Sequence, residues 1–406
     1  MNIEKNYISI VIIKKMSKNI KLLYFINFFS SFRFIGPILI IHFAQVTGSY
    51  TQAMTLVAFD SLFQAVLEIP TGIFSDLVGR KSTTILAGIA GLFCVSFWAI
   101  GGNFWFLFIG TFFGGLSGAL SSGNDEALIY DTLKEAGKED QFHTYFSKIG
   151  TIVLLAFGIS ALLGGLVAAI SFRLVFALSL LFNFISVIMS FFLTNPHVHK
   201  KLKTNPYLHL KEASLLFITN PSLRMLSISS AITSAFSMAS YQFTPIFVNT
   251  LWPIWAVGIL RSSTHFLSAA GNLVSAKLID RFKAFNVLIN QFIISRIILI
   301  TAFILSNIYS PILIIINAFG FSIGQVAQRD LIQKEFTDHQ RATMGSLDSL
   351  LKRILTTIVL VLIGFFADLI GPNKILLLGE ILLIPVVFIY WQLSLHRKRN
   401  YGKDYK

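Results

Sequence analysis

The chain is poor in cysteine and in charge. It has one cysteine, Cys94, among 406 residues, which excludes an internal disulfide. Asp, Glu, Lys and Arg make up 13% of the chain, whereas soluble domains carry about a quarter. It also lacks a glycine-x-x-x-x-glycine-lysine phosphate loop and any cluster of metal ligands or activated nucleophiles. We therefore expect no cofactor, no metal and no enzymatic activity.

Apolar sequence is what the chain has in abundance. Hydrophobic residues make up 54% of it, and 40 residues are Phe. Apolar runs recur along the whole length, and a helix needs about 20 such residues to cross a bilayer. The sequence therefore predicts an all-α membrane protein that is embedded in a lipid bilayer.

We predict twelve transmembrane helices. Their residues are 21–45, 51–75, 82–101, 103–125, 148–170, 174–194, 222–249, 253–276, 285–308, 310–329, 345–369 and 374–395. The connections after the first, third, seventh and ninth helices carry no charge, whereas nearly all Lys and Arg lie at the opposite ends. This positive-inside pattern predicts a plasma-membrane protein with both termini and the central loop in the cytoplasm. The formal charge of +14 is thus explained by the orientation of the helices in the membrane, and we expect no nucleic-acid partner.

The predicted spans divide six and six around a basic loop. The predicted parts are a cytoplasmic N-terminal segment (1–20), a first bundle (21–194), a central loop (195–221), a second bundle (222–395) and a cytoplasmic tail (396–406). Translation could instead start at Met16. Charged residues at matching helix ends recur 204 positions apart: Asp76 with Asp280, Glu126 with Asp330, and Lys148 with Lys352. This repeat predicts two pseudo-symmetric six-helix bundles related by an axis along the membrane normal.

A charged loop lies between the second and third predicted spans. It reads GIFSDLVGRKS, and its notable positions are Gly72, Asp76, Gly79, Arg80 and Lys81. Its two glycines would let backbones approach closely. A shorter copy, AKLIDRFK, keeps Asp280 and Arg281 but loses the glycines. Together with RATMGSL at 341–347 and the twelve-helix layout, this pattern resembles the loop signature of the major facilitator superfamily over the whole chain.

The resemblance implies a secondary transporter that moves a small solute by alternating access of two bundles. It also implies that Asp76 meets the start of the eleventh span, near Gly345 and Ser346, where a helix N-terminus attracts an anion. Arg80 can pair with acids at the inner end of the fourth span. Those acids are Asp125, Glu126 and Asp131. Such contacts would hold the cytoplasmic side closed.

Charged residues inside the predicted spans are candidates for the solute or proton path. A charge at mid-bilayer costs about 2.5–3.5 kcal/mol on insertion scales, so it should face protein or water. Arg33 and Asp60 lie at similar depth in the first two spans; they could line the central cavity, or pair only to fix their helices. The further candidates are Glu68, Tyr241, Gln242 and Arg261. Arg296 and Glu380 are also deep, but the resemblance places the helix of Arg296 at the periphery.

Two transport functions fit these residues. Asp60 favours proton-coupled export of drugs or hydrophobic compounds, and the deep arginines favour uptake of a small polar metabolite or an anion. The chain departs from the exporters of the family, because its fourth span (FIGTFFGGLSGAL) has no arginine and its fifth (AFGISALLGG) has no proline. We expect a monomer whose partners are a small-molecule substrate, the bilayer and, for an exporter, protons.

Overall fold

The structure is a computed structural model, and it describes residues 2–196, 221–333 and 341–401. Its helices are α1 (Asn2–Ser31), α2 (Leu39–Thr47), α3 (Tyr50–Val78), α4 (Arg80–Ile100), α5 (Phe104–Ser121), α6 (Asn124–Glu135), α7 (Phe142–Ile170), α8 (Phe172–Phe191), α9 (Pro221–Asn249), α10 (Ile254–Phe282), α11 (Ala284–Leu305), α12 (Ser310–Gln333), α13 (Arg341–Ile370), α14 (Pro372–Leu382) and α15 (Ile384–Tyr401). The described ranges contain no strand, so the all-α prediction is confirmed. Most of the predicted central loop and the end of the predicted tail lie outside these ranges.

Nine helical segments of the described residues are long and apolar enough to cross a membrane. They coincide with nine of the twelve predicted spans. The other three predicted spans correspond to α1 with α2, to α9 and to α10. The first of these is interrupted, and α9 and α10 contain more Ser, Thr and charged residues. The count of twelve spans therefore stays a prediction.

Three of the predicted spans each consist of two helices. The span at 21–45 is broken at residues 32–38, where Pro37 has no N–H to donate and disfavours the helical conformation at Gly36. The span at 103–125 is broken at Gly123, which has a φ of 70°. The last span is broken just before Pro385.

Helix α1 runs from Asn2 to Ser31 without a break at residue 20. Met16, Ile20 and Leu23 are buried in one hydrophobic core together with Leu133 of α6. Residues 16–20 therefore pack as part of the first helix, whereas the sequence predicted a separate N-terminal segment at 1–20.

By their contacts, the residues group into two units. The first comprises residues 1–47 and 59–203, and the second comprises residues 48–58 and 204–406. The beginning of α3 thus groups with the C-terminal helices, whereas the sequence predicted that it belongs to the first bundle.

The internal repeat is visible in the helices themselves. Helices α3 and α10 have 29 residues each, and their first residues are 204 positions apart. The residue that follows each helix has a positive φ, 98° at Gly79 and 68° at Lys283. Glycine adopts such a backbone without a Cβ clash, whereas lysine does not. The second copy thus keeps the conformation of the loop after losing its glycine.

In the first unit, the interruption at residues 32–38 packs against α7. A Cβ on Gly164 would lie 2.1 Å from the carbonyl oxygen of Phe34. Glycine therefore allows the interrupted segment to contact the backbone of α7 directly. Gly150, on the same helix, has no atom within 4 Å of the position that a Cβ would take.

The second unit contains a buried ion pair. Arg296 of α11 contacts Glu380 of α14, and their side chains are only 7% and 3% exposed. Phe292 covers the guanidinium, with 4.8 Å between the guanidinium carbon and the ring centroid. Gln328 donates a 2.6 Å hydrogen bond to the hydroxyl of Tyr390 in the same region. These polar groups join α11, α12, α14 and α15 inside an otherwise apolar core.

Arg296 therefore has a defined place that the sequence did not indicate. The sequence analysis gave it little weight because its helix was expected at the periphery. In the structure it is the counter-ion of Glu380 and lines a small cavity together with Thr233, Gln291 and Gln328.

The close contact at Gly164 predicts a stability difference. Gly164→Ala should lower the free energy of unfolding by about 1–3 kcal/mol, because the added methyl group overpacks a rigid backbone contact. Gly150→Ala is the matched control on the same helix and should be neutral or stabilising, since alanine favours the helix and meets open space. Thermal unfolding in detergent measures both. Equal melting temperatures for the two variants would contradict the packing described.

The buried ion pair predicts a non-additive pair of substitutions. Glu380→Gln should destabilise the protein by about 3–5 kcal/mol, because it leaves the Arg296 charge buried without a partner. The double variant Arg296→Met with Glu380→Leu should lose much less stability, since it removes both charges and keeps apolar volume. Melting temperatures of the two variants and the wild type give the comparison. A double variant as unstable as Glu380→Gln would show that the loss of stability does not come from an unpaired buried charge.

Candidate functional site

Arg80 holds the end of the charged loop together. Its Nη1 donates a 2.7 Å hydrogen bond to Ser75, its Nη2 lies 2.9 Å from a carboxylate oxygen of Asp76, and its Nε lies 3.6 Å from one of Asp131. The Asp76 side chain is 66% exposed, whereas that of Asp131 is 15% exposed. One guanidinium thus connects α3, α4 and α6.

Neutral polar residues next to Arg80 form further hydrogen bonds to these helices. Ser75 donates a 2.8 Å hydrogen bond to Asn124, which begins α6. The side chain of Asn195 accepts the backbone N–H of Lys81 at 2.8 Å and lies 3.0 Å from where a Cβ of Gly79 would be. The glycine therefore leaves room for the side chain that caps α4. The sequence analysis missed Ser75, Asn124 and Asn195, because uncharged polar residues in an apolar chain form no distinctive pattern.

Three of the predicted loop residues are placed differently from expectation. Neither Asp125 nor Glu126 forms an ion pair with Arg80 in the described part of the chain, because the break at Gly123 puts both into the first turn of α6. Gly72 lies on an exposed face, and no atom of the described residues comes within 4 Å of the position of a Cβ there. Among these residues, no close backbone approach involves Gly72.

The second copy of the loop carries fewer contacts. Asp280 and Arg281 are both exposed, and neither forms an ion pair among the residues that the structure describes. The side chains at 341–350, which include Gly345 and Ser346, lie outside the described residues. The contact of Asp76 with the start of the eleventh span therefore stays a prediction.

Asp60 lies within α3 and is half-buried in the first unit. A Cβ on Gly114 would lie 2.7 Å from one of its carboxylate oxygens and 3.1 Å from the sulfur of Cys94. Glycine thus makes the space that this carboxylate occupies. No hydrogen bond or ion pair joins the Asp60 carboxylate to another described residue.

Arg33 lies in the interrupted segment and is exposed. Its Nε donates a long, 3.5 Å hydrogen bond to the carbonyl of Ser30. It is near enough for its charge to act on Asp60, but the two side chains form no ion pair within 4.0 Å among the described residues. The predicted pairing that would only fix the helices is therefore not formed. Glu68 accepts a 3.0 Å hydrogen bond from Ser122, at the break between α5 and α6.

In the second unit, Arg261 of α10 is buried against Tyr241 of α9. Only 5% of Arg261 is exposed. Its guanidinium carbon lies 3.6 Å from the centroid of the Tyr241 ring, and its Nη2 donates a 2.6 Å hydrogen bond to the Tyr241 carbonyl. The Tyr241 hydroxyl lies 3.5 Å from Nε2 of His265. Gln242, the other candidate here, is half-buried and makes no specific contact in the described part.

The charge of Arg261 has no carboxylate partner within 4.0 Å among the described residues. Stacking on the Tyr241 ring compensates part of the cost of burying it. His265 is a residue that the sequence analysis did not select. It lies one turn after Arg261 on the same helix, so helical periodicity could have found it. The described residues hold no group of three or more His, Cys, Asp or Glu side chains that could bind a metal.

Comparison with known proteins places the chain in a family. The family model of the Major Facilitator Superfamily matches residues 22–356. An uncharacterized MFS-type transporter of Methanocaldococcus jannaschii is 24% identical over 373 residues, which cover 88% of this chain and 93% of the relative. A Na(+), Li(+), K(+)/H(+) antiporter of Planococcus maritimus is 27% identical over 150 residues, 35% of either chain.

A solved structure shows the same fold. The crystal structure of the nucleoside transporter NupG superposes with a TM-score of 0.76 at 15% identity, covering 93% of this chain and 99% of that one. The predicted all-α fold of this family and the predicted family itself are thus confirmed. The chain belongs to the major facilitator superfamily and is a multi-pass membrane transporter.

Proposed function

We propose that this transporter exports drugs or other hydrophobic compounds in exchange for protons, and that Asp60 carries the proton. The observation behind the proposal is that Asp60 lies inside a membrane-spanning helix without a hydrogen bond or ion pair to another described residue. An ionised carboxylate inside the bilayer is costly, and such residues mark ion and proton pathways. A proton can bind Asp60 without first breaking an ion pair.

Coupling requires that the proton distinguish between two states of the protein. A ligand shifts a conformational equilibrium only by the difference between its affinities for the two states. Protonation of Asp60 removes one negative charge. The free energy of that charge depends on its distance from the exposed Arg33, and so on the position of the interrupted segment. Movement of residues 32–38 would therefore change the proton affinity of Asp60.

One partial relative supports the proposal of proton coupling. The Planococcus maritimus protein that matches 150 residues is named as a cation/H(+) antiporter. We infer from this likeness that the coupling ion is the proton and that the solute leaves the cell as protons enter. The named cargo of that relative also makes alkali cations a class of solute to include in transport assays.

We further infer a monomer in the plasma membrane with both termini in the cytoplasm. The inference about the termini rests on Lys and Arg, which are concentrated at one set of helix ends, whereas the monomeric state is carried over from the sequence analysis as an expectation. In this orientation the Arg80 cluster lies at the cytoplasmic end of α3, and residues 48–50 lie at the outer surface.

A second function is supported by Arg261. This arginine is buried, stacked on Tyr241 and without a carboxylate partner among the described residues. A buried cation of this kind attracts an anion, and the aromatic ring and His265 could contact a flat polar solute. We therefore retain uptake of a small polar metabolite or an anion as the alternative.

Asp60→Asn should abolish proton-driven export. Cells that express the wild type should accumulate several-fold less of a fluorescent hydrophobic cation than empty cells do, and a protonophore should remove the difference. The Asn variant should accumulate as much as empty cells, because its amide cannot bind a proton. Adding Na⁺, Li⁺ or K⁺ to pH-gradient assays in everted vesicles tests the cation cargo.

Asp140→Asn is the matched control, since it removes an exposed acid from the turn before α7. It should export as the wild type does. Full export by Asp60→Asn would contradict the assignment of the proton to this residue. Accumulation in wild-type cells equal to that in empty cells would turn the search to the alternative function.

The alternative predicts that the charge of Arg261 is needed for anion uptake. In proteoliposomes, Arg261→Gln should abolish uptake of a radiolabelled organic anion, whereas Arg261→Lys should retain part of it with a raised KM, because lysine keeps the charge but not the planar stacking. Lys277→Gln on the exposed side of α10 is the control and should leave uptake unchanged. Equal uptake by Arg261→Gln and the wild type would exclude this site.

A further inference from the structure

Asp368, in the last turn of α13, accepts four hydrogen bonds from the start of α3. One carboxylate oxygen accepts the backbone N–H of Tyr50 at 2.8 Å. The other accepts the N–H of Thr51 at 2.9 Å and the hydroxyls of Thr51 and Ser49 at 2.6 and 2.7 Å. All of these residues belong to the second unit. The contact joins positions that are 317–319 residues apart in the chain.

This carboxylate acts as the N-terminal cap of a helix to which it does not belong. The first N–H groups of a helix have no partner within the helix, and an anion there also interacts favourably with the helix dipole. Ser49 supplies a local cap as well, because its hydroxyl oxygen accepts the N–H of Gln52 at 3.3 Å. A local cap stabilises its own helix, whereas Asp368 also attaches α3 to α13.

The two helices touch closely at this place. Gly364 lies one turn before Asp368 on the same face of α13. A Cβ there would lie 2.7 Å from the carbonyl oxygen of Tyr50 and 2.9 Å from the Cβ of Met54. The ring of Tyr50 contacts Phe243 of α9 edge-on at 5.5 Å. Met54 is completely buried in this contact, with 0% of its surface exposed.

We propose that Asp368 is a positioning residue of the transport cycle. It holds the first turn of α3 against α13 at the extracellular ends of these two helices. Residues 48–58 group with the second unit, and the rest of α3, which carries Asp60, groups with the first. A movement of α3 away from α13 must therefore break the bonds to Asp368 and expose Met54. This role concerns the cycle itself and does not depend on which solute is carried or on the identity of the proton carrier.

Accessibility of residue 54 tests the proposal without a substrate. Met54→Cys is introduced into a Cys94→Ser background, so that the reporter is the sole thiol. The rate of its labelling by a membrane-impermeant maleimide is then measured in intact cells. Asp368→Ala should raise the rate by about fivefold, the size expected when a helix cap is lost. Asp368→Asn keeps one acceptor oxygen and should raise it less.

Two controls separate this role from a general loss of structure. Asp140→Asn should not change labelling at residue 54. A reporter at Tyr309→Cys, which is exposed in the loop before α12, should label at the same rate with and without Asp368→Ala. An unchanged rate at residue 54 in Asp368→Ala would overturn the proposal, and so would a parallel rise at both reporters.

A second variant keeps the test decisive if Asp368→Ala does not reach the membrane. The single variant Thr51→Val removes one hydroxyl donor and leaves the carboxylate, both backbone bonds and the local Ser49 cap in place. It should raise labelling at residue 54 by less than Asp368→Ala would. No rise in this folded variant would overturn the proposal as well.

Discussion

Electric charge is costly inside a bilayer, and three ionisable residues within the helices of this transporter have different surroundings, two with a partner that offsets the cost and one without. Arg296 is neutralised by Glu380 within the second unit. Arg261 has no acid beside it and is stacked on an aromatic ring instead. Asp60 has neither kind of partner among the described residues. The three arrangements differ in whether the side chain can bind a ligand. A paired charge contributes to stability, whereas an unpaired one can bind a proton or a solute.

Helix ends are subject to a related constraint, because their backbone groups have no partner within the helix. Here two of them are satisfied by side chains from far along the chain. Asn195 caps α4, and Asp368 caps α3. The loop backbone that follows α3 recurs after α10, where a lysine takes the place of Gly79. The duplicated halves thus share a loop geometry that only the first copy supports with a suitable residue.

Helix α3 connects the features on which the proposals rest. Its first turn is held by Asp368, its middle carries Asp60, and its last turn contains Asp76 beside Arg80. The proton site that we propose, Asp60, thus lies on the same helix as the contacts with Asp368 and with Arg80.

The sequence by itself determined the all-α membrane class, the family and the order of the helices, because the length of apolar runs and the composition of one loop are local properties. It also selected Asp60 and Arg261 by residue type and depth, and Arg80 by the motif of the charged loop. Only the tertiary structure decided their partners. Asp131, which lies in the helix after the break at Gly123, contacts Arg80, and Asp368 contacts residues more than 300 positions earlier. Such partners follow from how helices are broken, rotated and packed, and no periodicity in the chain encodes that.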